Sequence, residues 1–579
     1  MMNTNKFFVI CIIFCVLTAG SRADSPQNKT ESGKAALRQN IARWIGQLGD
    51  ESYIVRQRAE VHLLNSGLEA YPAVQKAKTS EDIEVVRRAE KILTQIEQQF
   101  IRQENPAVEY WIRQYTLEGN PAAKARIIRL FADIFSDASN GEGLQTLCRL
   151  VRFDESETLR IEAAKCLLAS PPAKISLRTK WYRHIRDTFM PLKEAVADAA
   201  SEDNGSGGLF SLLADYAALR CDMETAQQET AEKKALTGFQ QRVRNVTQRV
   251  AAFQAKPEYS VIQPGNAADI LMYYAAAIVQ DAAGLSQECK KNTEAALAVE
   301  AQEVRSSEPV QAIELDDDWK MHEHYYAARW LQQNYRLRWA LPHFGKIIDG
   351  GYIVLKIRSA NSAADISVLT TDYTAAVKFY DKVIELAGTE EYTKKLSNGQ
   401  AITSEAQIRR YSCLAEQSAG TGDWLKVREY LDKGLGLDKT DIDLLILAHR
   451  YCKANKGTDA DYRSNVKYWS HQSLVNIQNT AIPPSNDADD RRQAAAAACN
   501  QAAWLLAHTD GDYPSAKALI NAAVQAEPED LSYTDTLSAV YFLGGEIGKA
   551  VETQERVVRS APEVTVFQKA LEKFKAARK

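Results

Sequence analysis

The chain repeats itself at a fixed period near its end. Gly511 recurs as Gly545, Ala516 as Ala550 and Pro528 as Pro562, each 34 residues later. A period of this length fits one helix–turn–helix unit, stacked on its neighbours in a solenoid. Each matched position has a mechanical reason. Gly545 falls in the turn between two helices, where a residue without a side chain tolerates left-handed backbone. Ala550 falls where the second helix crosses the first, and its small side chain lets them approach. Pro562 stops the second helix, because proline has no amide proton to continue the ladder.

With Leu537, Ser538 and Tyr541 on the first helix, followed by Gly545, Ala550 and Pro562, the last unit resembles the tetratricopeptide repeat (TPR). It departs from that pattern at Thr534, a slot usually Trp or Leu, and at Gln554, a slot usually aromatic. The preceding unit, with Trp504 and Leu505 on its first helix, fits if the turn from His508 to Tyr513 is altered.

A second pattern lies near the start. Val55-Arg56-Gln57-Arg58-Ala59-Glu60 with Leu63 returns as Val85-Val86-Arg87-Arg88-Ala89-Glu90 with Leu93, and again as Leu159-Arg160-Ile161-Glu162-Ala163 with Leu167. An apolar residue, an Ala four on and a Leu eight on share one helix face, with basic residues between. This resembles the second helix of HEAT-like repeats and implies stacked helix pairs over roughly residues 37–170. The arginines are expected to pair with neighbouring acids or reach solvent rather than form a ligand face.

The fold class read from these patterns is all-α, a helical-repeat solenoid with a HEAT-like array followed by a TPR array. Scarce Gly (28) and Pro (16) in 579 residues suit it. Residues 1–23 read as a signal peptide. Lys6 precedes an apolar run from Phe7 to Leu17, and Ser21-Arg22-Ala23 offers a cleavage site after Ala23. The run is too short for a membrane helix, and export to the periplasm or beyond is expected. Residues 24–36 are expected to be a flexible lead containing the acceptor-like Asn28-Lys29-Thr30. The HEAT-like array then covers 37–200 and the Ser/Gly-rich stretch 201–208 is a linker. A degenerate TPR-like array covers 209–480, and a TPR pair with a capping helix covers 488–579.

Without residues 1–23 the chain carries 69 bases against 75 acids, net −6. That balance predicts no nucleic-acid partner. Seven cysteines remain (Cys148, Cys166, Cys221, Cys289, Cys413, Cys452 and Cys499), none in Cys-x-x-Cys spacing, and they are expected to be buried free thiols.

Catalytic signals are weak. Asp316-Asp317-Asp318-Trp319-Lys320-Met321-His322-Glu323-His324 is the most metal-like cluster. Its histidines are two apart and point to different sides of a helix. The His-Glu-x-x-His spacing is absent, and three acids before a helix act as capping and dipole partners. Ser206 lies in the Gly-rich stretch and reads as linker, not nucleophile. No catalytic, cofactor or metal site is expected. The basic end (Lys569, Lys573, Lys575, Arg578, Lys579) favours its own helix terminus, and contact with a membrane is expected only through it or through partners.

The TPR resemblance, and the likeness to large repeat proteins exported to bacterial envelopes, imply a non-enzymatic scaffold. Its groove would hold a peptide or a protein surface, and in the last two units Gln501, Leu505, Asp535, Ala539 and Phe542 are expected to line it. Two other readings stand beside this one. One is an assembly factor for exported polysaccharide or outer-membrane complexes. The other is an enzyme within 209–480, whose signature would be a cleft with converging perturbed carboxylates or histidines.

Overall fold

A computed structural model describes residues 31–101, 106–133, 142–169, 171, 175–198, 206–226, 233–254, 267–299, 319–395, 399–455, 457, 459–480, 488–509 and 512–578. The fold is all-α, and the described residues form consecutive helices arranged as a repeat solenoid. The segment expected as a signal peptide lies outside the described residues. So does most of the expected lead, but the first helix, Glu31–Gly46, begins within it.

The HEAT-like pattern marks core positions as expected. Ala59, Leu63, Ala89, Leu93, Ala163 and Leu167 are all buried. The intervening basic residues find acids. Glu60, buried, accepts from Arg88 at 2.7 Å and from Lys91 at 2.5 Å, and Arg56 lies 3.4 Å from Glu84.

Residues 201–205 of the Ser/Gly stretch lie outside the described residues, and Ser206, Gly207 and Gly208 form the first turn of the helix Ser206–Ala226, which packs along Ile175–Asp198. One apolar core includes residues on both sides of the stretch, from Val108 through Trp181 to Tyr216, Phe344 and Ile366.

Five of the helix pairs between Ala267 and Ser560 are joined by one kind of turn. Gly284, Gly422 and Gly545 have φ of 71°, 76° and 76°, and Tyr335 and Thr371 hold the same place at 55° and 58°. At each, the next amide bonds back to a carbonyl five residues earlier, as from Leu285 to Gln280 (2.8 Å), Arg336 to Leu331 (2.8 Å) and Asp372 to Ser367 (2.8 Å). Two units therefore lack the glycine that signals the turn, yet keep its geometry.

Gln554 explains the departure from the aromatic slot. It is fully buried, accepts from Ser538 Oγ at 2.6 Å, and donates to Asp535 Oδ1 at 2.6 Å and to the Phe567 carbonyl at 3.1 Å. One amide thus ties both helices of the last unit to the capping helix Thr565–Arg578. That helix buries Phe567 and Phe574, while Val566 and Ala570 are half-buried.

The array folds back on itself. Val557, Ala561, Val564 and Phe567 belong to the same core as Leu337, Phe344 and Leu355. Arg338 binds Glu563, and Lys569 donates to Thr371 Oγ1 at 3.0 Å. Of the seven cysteines all but the half-buried Cys499 are buried. Among the described residues no helix is long and apolar enough to cross a membrane.

Candidate functional site

The last units curve around their first helices. Gly399–Gly420 touches Ile442–Ala454, which touches Ala488–His508, which touches Leu531–Leu543, which touches Thr565–Arg578. The second helices meet their successors far less, so the first helices form the inner, concave side.

The expected groove residues fall unevenly on that side. Gln501 is exposed, and its stripe continues through Trp504 and His508 at i+3 and i+7, both half-buried. Leu505 has no exposed surface and packs in the core with Leu431 and Leu445. It is a packing residue, because one residue of helical phase separates it from Trp504. Asp535 is half-buried and bound to Gln554. Ala539 is buried against Ala550 and Phe574. Phe542 stacks on Phe574, with ring centroids 4.7 Å apart. Asp535, Ala539 and Phe542 thus share one face, whose C-terminal end the capping helix covers.

Several groups near this side are exposed, yet burial by neighbouring elements shifts their ionisation. Asp365 and Asp443 are exposed, but burial pushes both carboxyls above the usual range against the pull of Arg409. Tyr380, itself buried, donates to Asp365 Oδ1 at 3.2 Å. Arg409 also lies 3.4 Å from Glu405. Asp441 caps its helix by accepting from the Leu444 amide at 2.9 Å, and burial lifts its carboxyl to about 6. Tyr373, between Asp443, Glu416 and Arg450, is pushed up to about 12, chiefly by burial.

Farther along, the sign reverses. Lys573 is exposed, but burial and the charges of Arg450 and Lys453 hold its ammonium below the usual range. Its Nζ lies 5.1 Å from the centre of the Phe542 ring. Arg450 binds Glu416 at 2.5 Å. His508 bonds to the Trp504 carbonyl at 3.0 Å and lies against the Trp504 ring, 3.8 Å between centroids. Burial, reinforced by Lys573 and Arg450, lowers it to about 4, so it is neutral at pH 7. Sequence reading missed this end, since Arg450, Trp504, His508 and Lys573 come from three helices.

The middle region holds two other features. A cleft of about 740 Å³ lies between Ser206–Ala226 and Lys233–Gln254, and its Asp215 binds Lys193 at 2.5 Å and Arg249 at 2.6 Å. Elsewhere a buried chain joins Tyr274, His343 and His324. His343 Nε2 is 2.7 Å from Tyr274 Oη, the two Nδ1 atoms are 2.7 Å apart, and His324 Nε2 is 3.1 Å from the Val299 carbonyl. Neutral rings satisfy all three bonds when Tyr274 donates to His343, His343 to His324, and His324 to Val299. Burial lowers His343 to about 3 and His324 to about 4. His322, two residues from His324, turns instead toward Tyr352, 5.3 Å between ring centroids. Asp316, Asp317 and Asp318 lie outside the described residues, and no metal-binding group of three His, Cys, Asp or Glu occurs among those described.

No family model matches the chain, and no curated protein matches it. Among solved structures it is similar to the human IFIT1 dimer with m7Gppp-AAAA, at 14% identity over 92% of this chain and 96% of that one, TM-score 0.20. The human IFIT1 dimer with PPP-AAAA matches at 15% identity over 91% and 94%, TM-score 0.22. A circular tandem repeat protein matches at 11% identity over 94% and 98%, TM-score 0.13. The expectation of no nucleic-acid partner does not stand: the human IFIT1 dimers are found with m7Gppp-AAAA and PPP-AAAA, and net charge alone excludes no such ligand. The physical reason is that local charge, not the sum over the chain, meets a ligand. A chain of net charge −4 still gathers Arg450, Lys453 and Lys573 in one place.

Proposed function

We propose that this protein is an exported, non-enzymatic binding scaffold whose C-terminal units hold a partner along their inner face. The observation that carries this reading is the row of first helices in contact, from Gly399–Gly420 to Thr565–Arg578, which forms an inner side. Asp365, Asp443 and Lys573 are exposed near it, and burial by neighbouring elements shifts all three. Export rests on the basic start and the apolar run from Phe7 to Leu17. An envelope location places the partner among proteins of that compartment.

The test is affinity capture from the source organism's envelope extract. The full mature chain is compared with an Arg450→Glu, Lys573→Glu double variant of matched thermal stability. One partner held by the first and lost by the second supports the inner-face scaffold. An identical set held by both baits, or none by either, sinks it.

A further inference from the structure

We propose that the inner strip is a polarised groove for a polypeptide segment of a partner protein, with basic residues at one end and acidic residues about 10 Å away at the other. This rests on the scaffold reading and adds the chemistry of the occupant. At one pole Arg409 lies 3.4 Å from Glu405, with Asp365, held by Tyr380 at 3.2 Å, and Asp443 close enough to act on it. At the other, Lys573 stands 5.1 Å from the centre of the Phe542 ring, and Lys453 and Arg450, which binds Glu416 at 2.5 Å, add positive charge nearby.

The poles cannot collapse onto each other. Asp443 and Arg450 stand seven residues apart on the rigid helix Ile442–Ala454, a rise of about 10 Å. Arg450 is turned to Glu416 on the neighbouring helix, and Asp443 faces Arg409. Along the same inner side runs a flat neutral surface, the half-buried Trp504–His508 pair, suited to an apolar part of a peptide between or beside its charges. Charge complementarity then decides the occupant. A segment of one sign gains at one pole and meets like charge at the other, whereas a segment of both signs gains at each.

The experiment uses the full chain and fluorescence anisotropy with labelled peptides of about 12 residues. The probes are a Lys-block/Glu-block peptide in both orders, a Glu-only peptide, a Lys-only peptide, and a 5′-triphosphate tetra-adenylate. One order of the two-block peptide is expected to bind at least about tenfold more tightly than either single-sign peptide. Arg450→Glu with Lys573→Glu, and separately Asp365→Asn with Asp443→Asn, should each abolish that preference while circular dichroism still shows the folded helical array at the assay temperature. Raising salt from about 50 to 300 mM should weaken the binding.

Equal or tighter binding of a single-sign peptide, tighter binding of the oligonucleotide, or no binding of either two-block peptide overturns the proposal. If the envelope partner is still captured by the wild type and lost by the Arg450/Lys573 variant, only the polarity falls. If capture also fails, the scaffold reading falls with it.

Discussion

Glu563 closes the array on Arg338, 225 residues away. It accepts from the Arg338 backbone amide at 2.8 Å and meets the guanidinium Nε at 3.2 Å, while Nη2 of the same guanidinium reaches Asp281 at 2.7 Å. One arginine thus joins three separated units. Glu563→Ala should cost about 1–2 kcal/mol, because Arg338 is half exposed and part of its charge returns to water. Hydrogen exchange should rise in 547–578 and 337–350 but not in 53–101. Uniform change, or none, would count against this closure.

Asp535 makes stability fall as pH rises. Its carboxyl is raised from 3.8 to about 7, chiefly by burial, with Gln554 opposing. A carboxyl raised in the folded state favours folding fully below its ordinary value, and that favour is lost as pH climbs through about 7. Asp535→Asn keeps an acceptor for Gln554 and removes the titration. The variant should be more stable than wild type at pH 8 by about 2 kcal/mol after solvent screening, and much less so at pH 5. Melting curves at both pH values check this, and parallel curves would refute it.

The histidine chain acts in the opposite sense. His324 and His343 are lowered to about 4 and about 3 from 6.5, so their contribution is whole above 6.5 and is lost as pH falls toward those values. His324→Ala leaves His343 Nδ1 without its acceptor in a buried site and should cost about 2–4 kcal/mol at pH 7. Urea unfolding from pH 7 to 4.5 should show wild type losing stability faster than the variant. A variant as stable as wild type would mean the chain contributes nothing.

Glu60 holds the first two HEAT-like helices together. Its side chain is 3% exposed and binds Arg88, itself 12% exposed. Glu60→Ala leaves Arg88 with Glu84 alone, at 2.7 Å, and should cost about 1–2 kcal/mol, whereas Glu60→Gln, which keeps an acceptor, should cost less. Proteolysis within 53–101 should accelerate in the Ala variant. Equal rates for both variants would show that packing, not the ion pair, holds this end.

The sequence by itself determined the fold class and the places where near neighbours decide structure. The positive φ at Gly422 and Gly545, the buried Ala59, Leu63, Ala89 and Leu93, and the stop before Pro562 follow from local sterics and 3.6-residue periodicity. Only the tertiary structure decided the rest. Tyr335 and Thr371 adopt the glycine-like turn because flanking helix packing outweighs their local cost, so those units carry no sequence mark. Trp504 rather than Leu505 faces inward because the helix's rotation is set by its neighbours. The glycines of 206–208 enter the first turn of a helix whose following residues, from Leu209 on, are buried in the core. The contact of Arg338 with Glu563, and the gathering of Asp365 with Asp443 and of Arg450 with Lys573, depend on small rotations summed over many units. That sum is a property of the whole stack, and no single repeat encodes it.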